Sequence, residues 1–324
     1  MVSVLLKILN AEPDNYSTKA REILGSVSEV VECNLSRDNL VNTISDYDVL
    51  ITRLKHTVDA KIIENGRKLK AIVTATTGLD HIDSKYAEDK GIAILSLKGE
   101  NEFLQTIPAT AEHTWALLLS LIRKIPQSYY SVCNGEWNRD FFRGSELKNK
   151  NLGIVGYGRI GKQIKRYALA FDMNVHVYDP KVGQLPDEVV GYQELGDMLG
   201  AVDIVTLHLP LNTDTYGIIG HEEIGMCPIG TYLINTSRGD LVETDSLLRA
   251  LEIGHLSGAA LDVIPKERNI MSSEKKALVE YANKHDNLLL TPHLGGATIE
   301  SMEKTEIFMA KKFVNWVEEG MLIQ

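Results

Sequence analysis

The chain has 324 residues, 44% hydrophobic and 24% charged, which is enough for two domains with buried cores and no covalent staples. A formal net charge of -10 disfavours nucleic acid or an anionic membrane as a partner through bulk electrostatics, so an anionic substrate needs local positive groups. Cys33, Cys133 and Cys227 lie far apart without C-x-x-C spacing, which suggests neither a metal site nor a disulfide framework and fits a reducing cytoplasm.

The N-terminal run M-V-S-V-L-L-K-I-L-N is too short to span a membrane, is interrupted by Lys7 and lacks a signal-peptide cleavage pattern; it reads as a first strand. From there to about Leu97, short β-rich runs alternate with helix-like stretches, with Y-D-V-L-I-T, A-I-V-T-A and I-A-I-L-S the clearest further strands. Such alternation predicts a parallel sheet with helical crossovers. Ala109 to Lys124 follows as a strong helix, with Trp115, Leu118, Leu119 and Ile122 at helical spacing.

A second series begins at Asn151 with the strands N-L-G-I-V-G, N-V-H-V-Y-D, V-D-I-V-T-L-H, T-Y-L-I-N, S-G-A-A-L-D and N-L-L-L-T. Six strands in this order suit a dinucleotide-binding fold. The charged stretch Lys266 to Lys276 reads as a solvated loop and helix start, and an amphipathic helix from Thr298 to Glu319 follows. The whole predicts an α/β chain with two doubly wound parallel-sheet domains.

G-Y-G-R-I-G follows the first strand of the second series and opens a helix, the context that gives this glycine spacing its meaning. Gly156 permits the tight turn, Gly158 lets a pyrophosphate approach the backbone, and Gly161 lets the helix pack close to the strand. The amides near Arg159 and Ile160 then face the phosphates. Asp179 ends the next strand, where its carboxylate can accept hydrogen bonds from the adenosine ribose and repel a 2′-phosphate, so NAD is favoured over NADP. Lys181 could blur that preference, but Asp179 is the better placed residue.

Downstream lie N-T-S-R-G-D (Asn235 to Asp240) and T-P-H-L-G-G-A-T (Thr291 to Thr298). Together with Glu267, and with F-R-G-S-E-L-K-N-K-N-L-G-I-V-G-Y-G-R-I-G, V-T-L-H-L-P-L-N-T-D-T and S-G-A-A-L-D-V, they resemble the D-isomer-specific 2-hydroxyacid dehydrogenases, in the phosphoglycerate-dehydrogenase-like branch. The resemblance covers nearly the whole chain. It implies a Rossmann NAD-binding domain, residues 101–294, inserted in a flavodoxin-like substrate domain made of residues 1–100 and 295–324, with the active site in the cleft between them. It also implies a homodimer formed through the cofactor domains.

The chemistry follows residue by residue. Reduction of a 2-oxo acid needs a cation for the carboxylate, and Arg238 offers a forked donor. It needs a proton for the developing alkoxide, which His293 can deliver and take back, with Glu267 hydrogen-bonded to the ring to orient it. Each has a bland reading: a surface arginine, one more charge in K-E-R, and a satisfied buried histidine. The resemblance further implies that Asp262 lies near the nicotinamide carboxamide, that Thr236 and Ser237 pass beside the cofactor, and that Gly295 and Gly296 let the chain after His293 approach it. His208 is assigned to local packing, His113 to a helix face against neighbouring chain, and His81 to a structural role or the cleft mouth.

The substrate half conforms less. Arg53 stands where a basic residue for a substrate phosphate is expected, whereas Thr74 and Ala75 stand where a second arginine is usual. Gly99 keeps a backbone amide for a substrate carboxylate, but the loop around it is longer than expected. Nothing after Gln324 offers a regulatory domain, so feedback control by an amino acid is not expected. The sequence therefore predicts an NAD-dependent oxidoreductase interconverting a D-2-hydroxy acid and its 2-oxo acid, 3-phosphoglycerate-dehydrogenase-like. A glyoxylate or hydroxypyruvate reductase, or an NAD(H)-sensing corepressor-like protein, remains the alternative.

Overall fold

In the computed structural model, which describes residues 6–267, 269 and 272–320, the chain divides into two units. One comprises the residues up to Thr106 together with those from Thr298; the other is Ile107–Ala297. The divisions therefore assign the short helix Asn101–Gln105 and Thr106 to the first unit and Gly295–Ala297 to the second, a few residues beyond the boundaries expected from sequence.

The first unit holds strands β1 (Leu6–Asn10), β2 (Ser28–Glu32), β3 (Val49–Thr52), β4 (Ala71–Thr74) and β5 (Ala93–Leu95), all parallel, in the order β2-β1-β3-β4-β5. β3 and β4 are buried along their whole length, as expected of central strands covered on both faces. β2 was not legible as a strand: it is an edge strand with only Ser28 fully buried, so no apolar run marks it. The last helix, Ile299–Glu318, starts where Thr298 Oγ1 accepts the Ser301 amide at 3.0 Å. It sends Met309, Ala310 and Phe313 into the core formed with Ile8, Val49, Ile51 and Val73.

Where β1 and β3 end, the sheet order reverses direction, the place where folds of this order gather polar groups. The Glu12 carboxylate sits there, accepting hydrogen bonds from Thr52 Oγ1 at 2.7 Å and from the amides of Arg53 (2.9 Å), Leu54 (3.2 Å) and Lys55 (3.1 Å). Burial alone pushes the Glu12 carboxyl up, but these hydrogen bonds and nearby His56 outweigh it, and the group ends below the ordinary value of 4.5. A folded-state value below the unfolded one means that the stabilisation is present above pH 4.5 and is lost as pH falls through the lowered value. Glu12→Gln is expected to cost about 3 kcal/mol, because an amide NH2 faces donors, and to flatten the acid limb of stability against pH. Urea melts of both proteins between neutral and acid pH check this; equal stability at neutral pH would remove Glu12 from the account.

The second unit has seven parallel strands, one more than the sequence suggests: β6 (Asn151–Val155), β7 (Asn174–Tyr178), β8 (Val189–Tyr192), β9 (Ile204–Leu207), β10 (Thr231–Asn235), β11 (Leu256–Leu261) and β12 (Leu288–Leu290). Their order is β12-β11-β10-β9-β6-β7-β8, a doubly wound sheet. The missed strand, β8, is again an edge, with one buried residue in V-V-G-Y. The helix Ala109–Ile122 ends two residues before the expected Lys124, which adopts a left-handed φ of 53° and opens the helix Ile125–Cys133. No helix of the described residues is long and apolar enough to cross a membrane.

Register fixes where the motifs emerge. Val155 pairs with Leu207, Leu207 with Asn235, Asn235 with Leu261 and Leu261 with Leu290. The next residues, Gly156, His208, Thr236, Asp262 and Thr291, therefore leave the sheet along one edge, the carboxyl end at which such sheets bind ligands.

Candidate active site

At the start of that edge, Gly156 has φ of 95°, and a Cβ there would lie 2.6 Å from the His208 carbonyl oxygen, so only glycine fits. A Cβ on Gly161 would run into the Gly156 carbonyl, which is how closely the helix Arg159–Ala170 lies on the turn. Around Gly158 the opposite holds: a Cβ would meet nothing within 4 Å, and no side chain caps the helix it begins. The turn is thus an open cradle at a helix N-terminus, which fits a dinucleotide pyrophosphate. Partly buried Ile160 packs on the core beneath, and Arg159 Nη1 donates to the Ile107 carbonyl at 2.9 Å. Asp179 Oδ2 accepts the Tyr157 amide at 2.8 Å and Oδ1 the Lys181 amide at 2.9 Å, so the carboxylate stands against the turn with lone pairs remaining for hydroxyl donors.

After β10 the chain folds back on itself. Asn235 Oδ1 accepts the Ser237 amide at 3.0 Å while Asn235 Nδ2 donates to the Arg238 carbonyl at 2.8 Å. Thr236 Oγ1 pairs with Thr114 Oγ1 at 2.7 Å, and Ser237 Oγ donates to the Leu207 carbonyl at 2.6 Å. Both hydroxyls are thereby turned into the protein, leaving the backbone of this segment as the part that can pass beside a cofactor. Arg238 Nη1 donates to the Ser237 carbonyl at 2.7 Å. Gly239 is a position the sequence reading passed over: any Cβ there would overlap the backbone of Ile264 and Pro265. That close approach brings the Arg238 segment against the chain leading to Glu267.

His293 lies at the end of the same edge. Its Nδ1 is 2.9 Å from Glu267 Oε1 and 3.0 Å from Oε2. Among the described residues no hydrogen bond engages Nε2. The residue has φ of 57°, a left-handed conformation that costs an ordinary side chain about 1 kcal/mol and persists where surrounding contacts impose it. Asp262 imposes it. The Asp262 carbonyl accepts the His293 amide at 2.8 Å, Oδ1 accepts the Leu294 amide and Oδ2 the Gly295 amide, each at 2.7 Å. The carboxylate of Asp262, the residue expected beside the nicotinamide, is thus hydrogen-bonded to the histidine loop. Gly295 is buried against it, whereas Gly296 stands in open space.

Two residues expected at the substrate lie in the first unit. Arg53 spends its guanidinium on its own surroundings: Nη1 pairs with Glu306 Oε1 at 3.3 Å, and Nη2 donates to the carbonyls of Glu12 and Asp14 at 2.8 and 2.7 Å. Gly99 has φ of 89° in a loop tied to the last helix by Lys312, which donates to the Ser96 carbonyl at 2.9 Å and to Glu100. Buried His81 is 3.3 Å from Thr74 Oγ1. His208 keeps some accessible surface, yet burial pushes its pKa down to about 3, and Nε2 meets Thr206 Oγ1 at 2.9 Å.

Residues 115–295 match the sequence model of the D-isomer specific 2-hydroxyacid dehydrogenase, NAD binding domain. The chain belongs to that family. A D-3-phosphoglycerate dehydrogenase of Archaeoglobus fulgidus is 33% identical over 312 residues, covering 96% of this chain and 57% of the relative. A hydroxypyruvate reductase of Thermotoga maritima is 34% identical over 284 residues, covering 88% of this chain and 89% of the relative. The fold is shared with the crystal structure of D-lactate dehydrogenase from Aquifex aeolicus complexed with NAD and lactic acid, with a TM-score of 0.83, 28% identity, and coverage of 98% and 96% of the two chains. This family member spans little more than half the length of the phosphoglycerate dehydrogenases it matches.

Proposed function

We propose that the chain interconverts a D-2-hydroxy acid and its 2-oxo acid with NAD, using Arg238, Glu267 and His293. The observation that carries this reading is the pairing of Glu267 with His293 Nδ1 at 2.9 and 3.0 Å. An ionised carboxylate only accepts, so Nδ1 bears a hydrogen and Nε2 is the atom that exchanges a proton with substrate. In the direction of reduction, Nε2 gives its proton to the carbonyl oxygen as that oxygen becomes a hydroxyl; in oxidation it takes the proton back. Arg238 holds the substrate carboxylate and carbonyl oxygen with its planar fork. Bound NAD supplies the hydride exchange at the reacting carbon. The turn of Gly156, Gly158, Arg159, Ile160 and Gly161 would hold its phosphates and Asp179 its adenosine ribose, and the backbone at Thr236, Ser237, Gly295 and Gly296 would pass beside it.

The phosphoglycerate dehydrogenases among the relatives support a phosphorylated substrate. A second reading, a glyoxylate or hydroxypyruvate reductase, is favoured by Arg53, whose hydrogen bonds to Glu306 and to the carbonyls of Glu12 and Asp14 already occupy much of the guanidinium. Rates with glyoxylate, pyruvate, hydroxypyruvate and phosphohydroxypyruvate, each with NADH and NADPH, test both readings. Turnover is expected with NADH in preference to NADPH. A phosphohydroxypyruvate preference would return Arg53 to the substrate; tight NADH binding without turnover on any acid would overturn the enzymatic reading in favour of a sensor.

A second copy of the chain is the proposed partner. Tyr129, Tyr130, Trp137 and Phe141, on and just after the helix Ile125–Cys133, are 69 to 88% exposed, large aromatic side chains that water does not favour. Three unpaired cysteines fit a reducing cytoplasm.

A further inference from the structure

We propose that His113 is a positioning residue for the His293 loop, acting through Asp262 and Thr291. The inference rests on the reading of His293 as the proton carrier. His113 Nε2 is 3.0 Å from Asp262 Oδ1 and 3.1 Å from Thr291 Oγ1. Thr291 Oγ1 in turn donates to the same Oδ1 at 2.6 Å. Because the carboxylate only accepts and the threonine proton is already directed at it, the hydrogen between these groups belongs to His113 Nε2.

Asp262 is 1% exposed, and its carboxylate charge is balanced by four donors: the Leu294 and Gly295 amides, the Thr291 hydroxyl and the His113 ring. Of these, the Leu294 and Gly295 amides and Thr291 belong to the loop being positioned. His113 is the donor that comes from elsewhere, and it comes from a rigid element. Its helix, Ala109–Ile122, buries Ala111, Trp115, Leu117, Leu118, Leu121 and Ile122 in the core of the second unit. The next residue on that helix, Thr114, holds Thr236 at 2.7 Å, so adjacent positions brace the loop after β10 and the loop after β12. The Asp262 backbone is fixed to the sheet by its amide bond to the Asn235 carbonyl at 2.9 Å, but without His113 its carboxylate is hydrogen-bonded only to the loop it holds. Its hold on the left-handed His293 backbone then loosens, and Nε2 no longer returns to one place.

His113→Asn, too short to reach Oδ1, and His113→Leu are expected to lower kcat by roughly 10-fold, less than the 100-fold that a misplacement of about 1 Å costs. NADH affinity, read by fluorescence titration, falls by less than kcat does, because the glycine turn and Asp179, which His113 does not touch, carry most of the cofactor's contacts. Hydrogen exchange across residues 291–297 becomes faster. His113→Gln, whose amide nitrogen reaches where Nε2 stood, restores most of kcat and slows that exchange again. In the His293→Ala background the further change His113→Asn has no effect on the residual rate. Unchanged kcat in a folded His113→Asn protein, unchanged exchange at 291–297, or a His113→Gln protein no better than His113→Asn would overturn the proposal. A His293→Ala protein that turns over at the full rate would sink the proton-carrier reading instead, and the exchange data would still decide whether His113 holds the loop.

Discussion

His293→Ala is expected to reduce turnover by about 100-fold or more, the usual scale for losing a positioned general acid, while NADH binding is retained. The split follows from where the side chain's bonds go. Among the described residues the imidazole is tied to Glu267, at 2.9 and 3.0 Å, whereas the loop's backbone is held by Asp262 through the amides of His293, Leu294 and Gly295. Removing the ring therefore takes away the proton without releasing the loop. Steady-state rates with a turned-over 2-oxo acid, alongside an NADH titration, provide the check. Loss of NADH affinity together with rate would mean that the ring supports the cofactor and not the proton transfer.

Gly239→Ala should be nearly as damaging, for a reason that involves no chemistry at all. The added Cβ overlaps the backbone atoms of Ile264 and Pro265, which cannot rotate aside as a side chain would. One segment has to move, and overpacking of this kind costs about 3 kcal/mol, or roughly 10 °C in melting temperature for a unit of this size. The displaced segments carry Arg238 on one side and Glu267 on the other, so turnover should fall by more than the lost stability explains. Gly183→Ala, where a Cβ meets nothing within 4 Å, is the matched control. A Gly239→Ala protein that melts with the control and keeps its rate would show that the contact yields easily.

What the sequence reveals and what it hides divide along the same physical line. Central strands, the glycine turn and the Arg238 and His293 motifs are written in contiguous residues, because local spacing sets their chemistry. β2 and β8 lack such a signature: an edge strand buries one face or less, and its half-exposed residues resemble loop. The partners of single side chains are hidden for another reason. Arg53 meets Glu306 across 253 positions of chain and His113 meets Asp262 across 149, and no local pattern encodes either meeting. For that reason Arg53 reads as a ligand for substrate until its neighbours are seen, and His113 as packing. Gly239 could have been suspected, since a glycine beside an arginine in a turn invites the question of what approaches it.

The return of the last helix to the first unit has a consequence for how the chain is made. Phe313, Met309 and Ala310 complete a core whose other walls, Ile8, Val49 and Val73, leave the ribosome far earlier. The first unit must therefore wait, its apolar sheet face covered only in part by Ala20 and Leu24 of the helix Thr18–Gly25, while the whole of Ile107–Ala297 is synthesised with its own core and is free to fold. Biosynthesis thus inverts the order of the sequence, with the middle maturing before the beginning. A nascent chain halted before Met309 would be the species most dependent on chaperones.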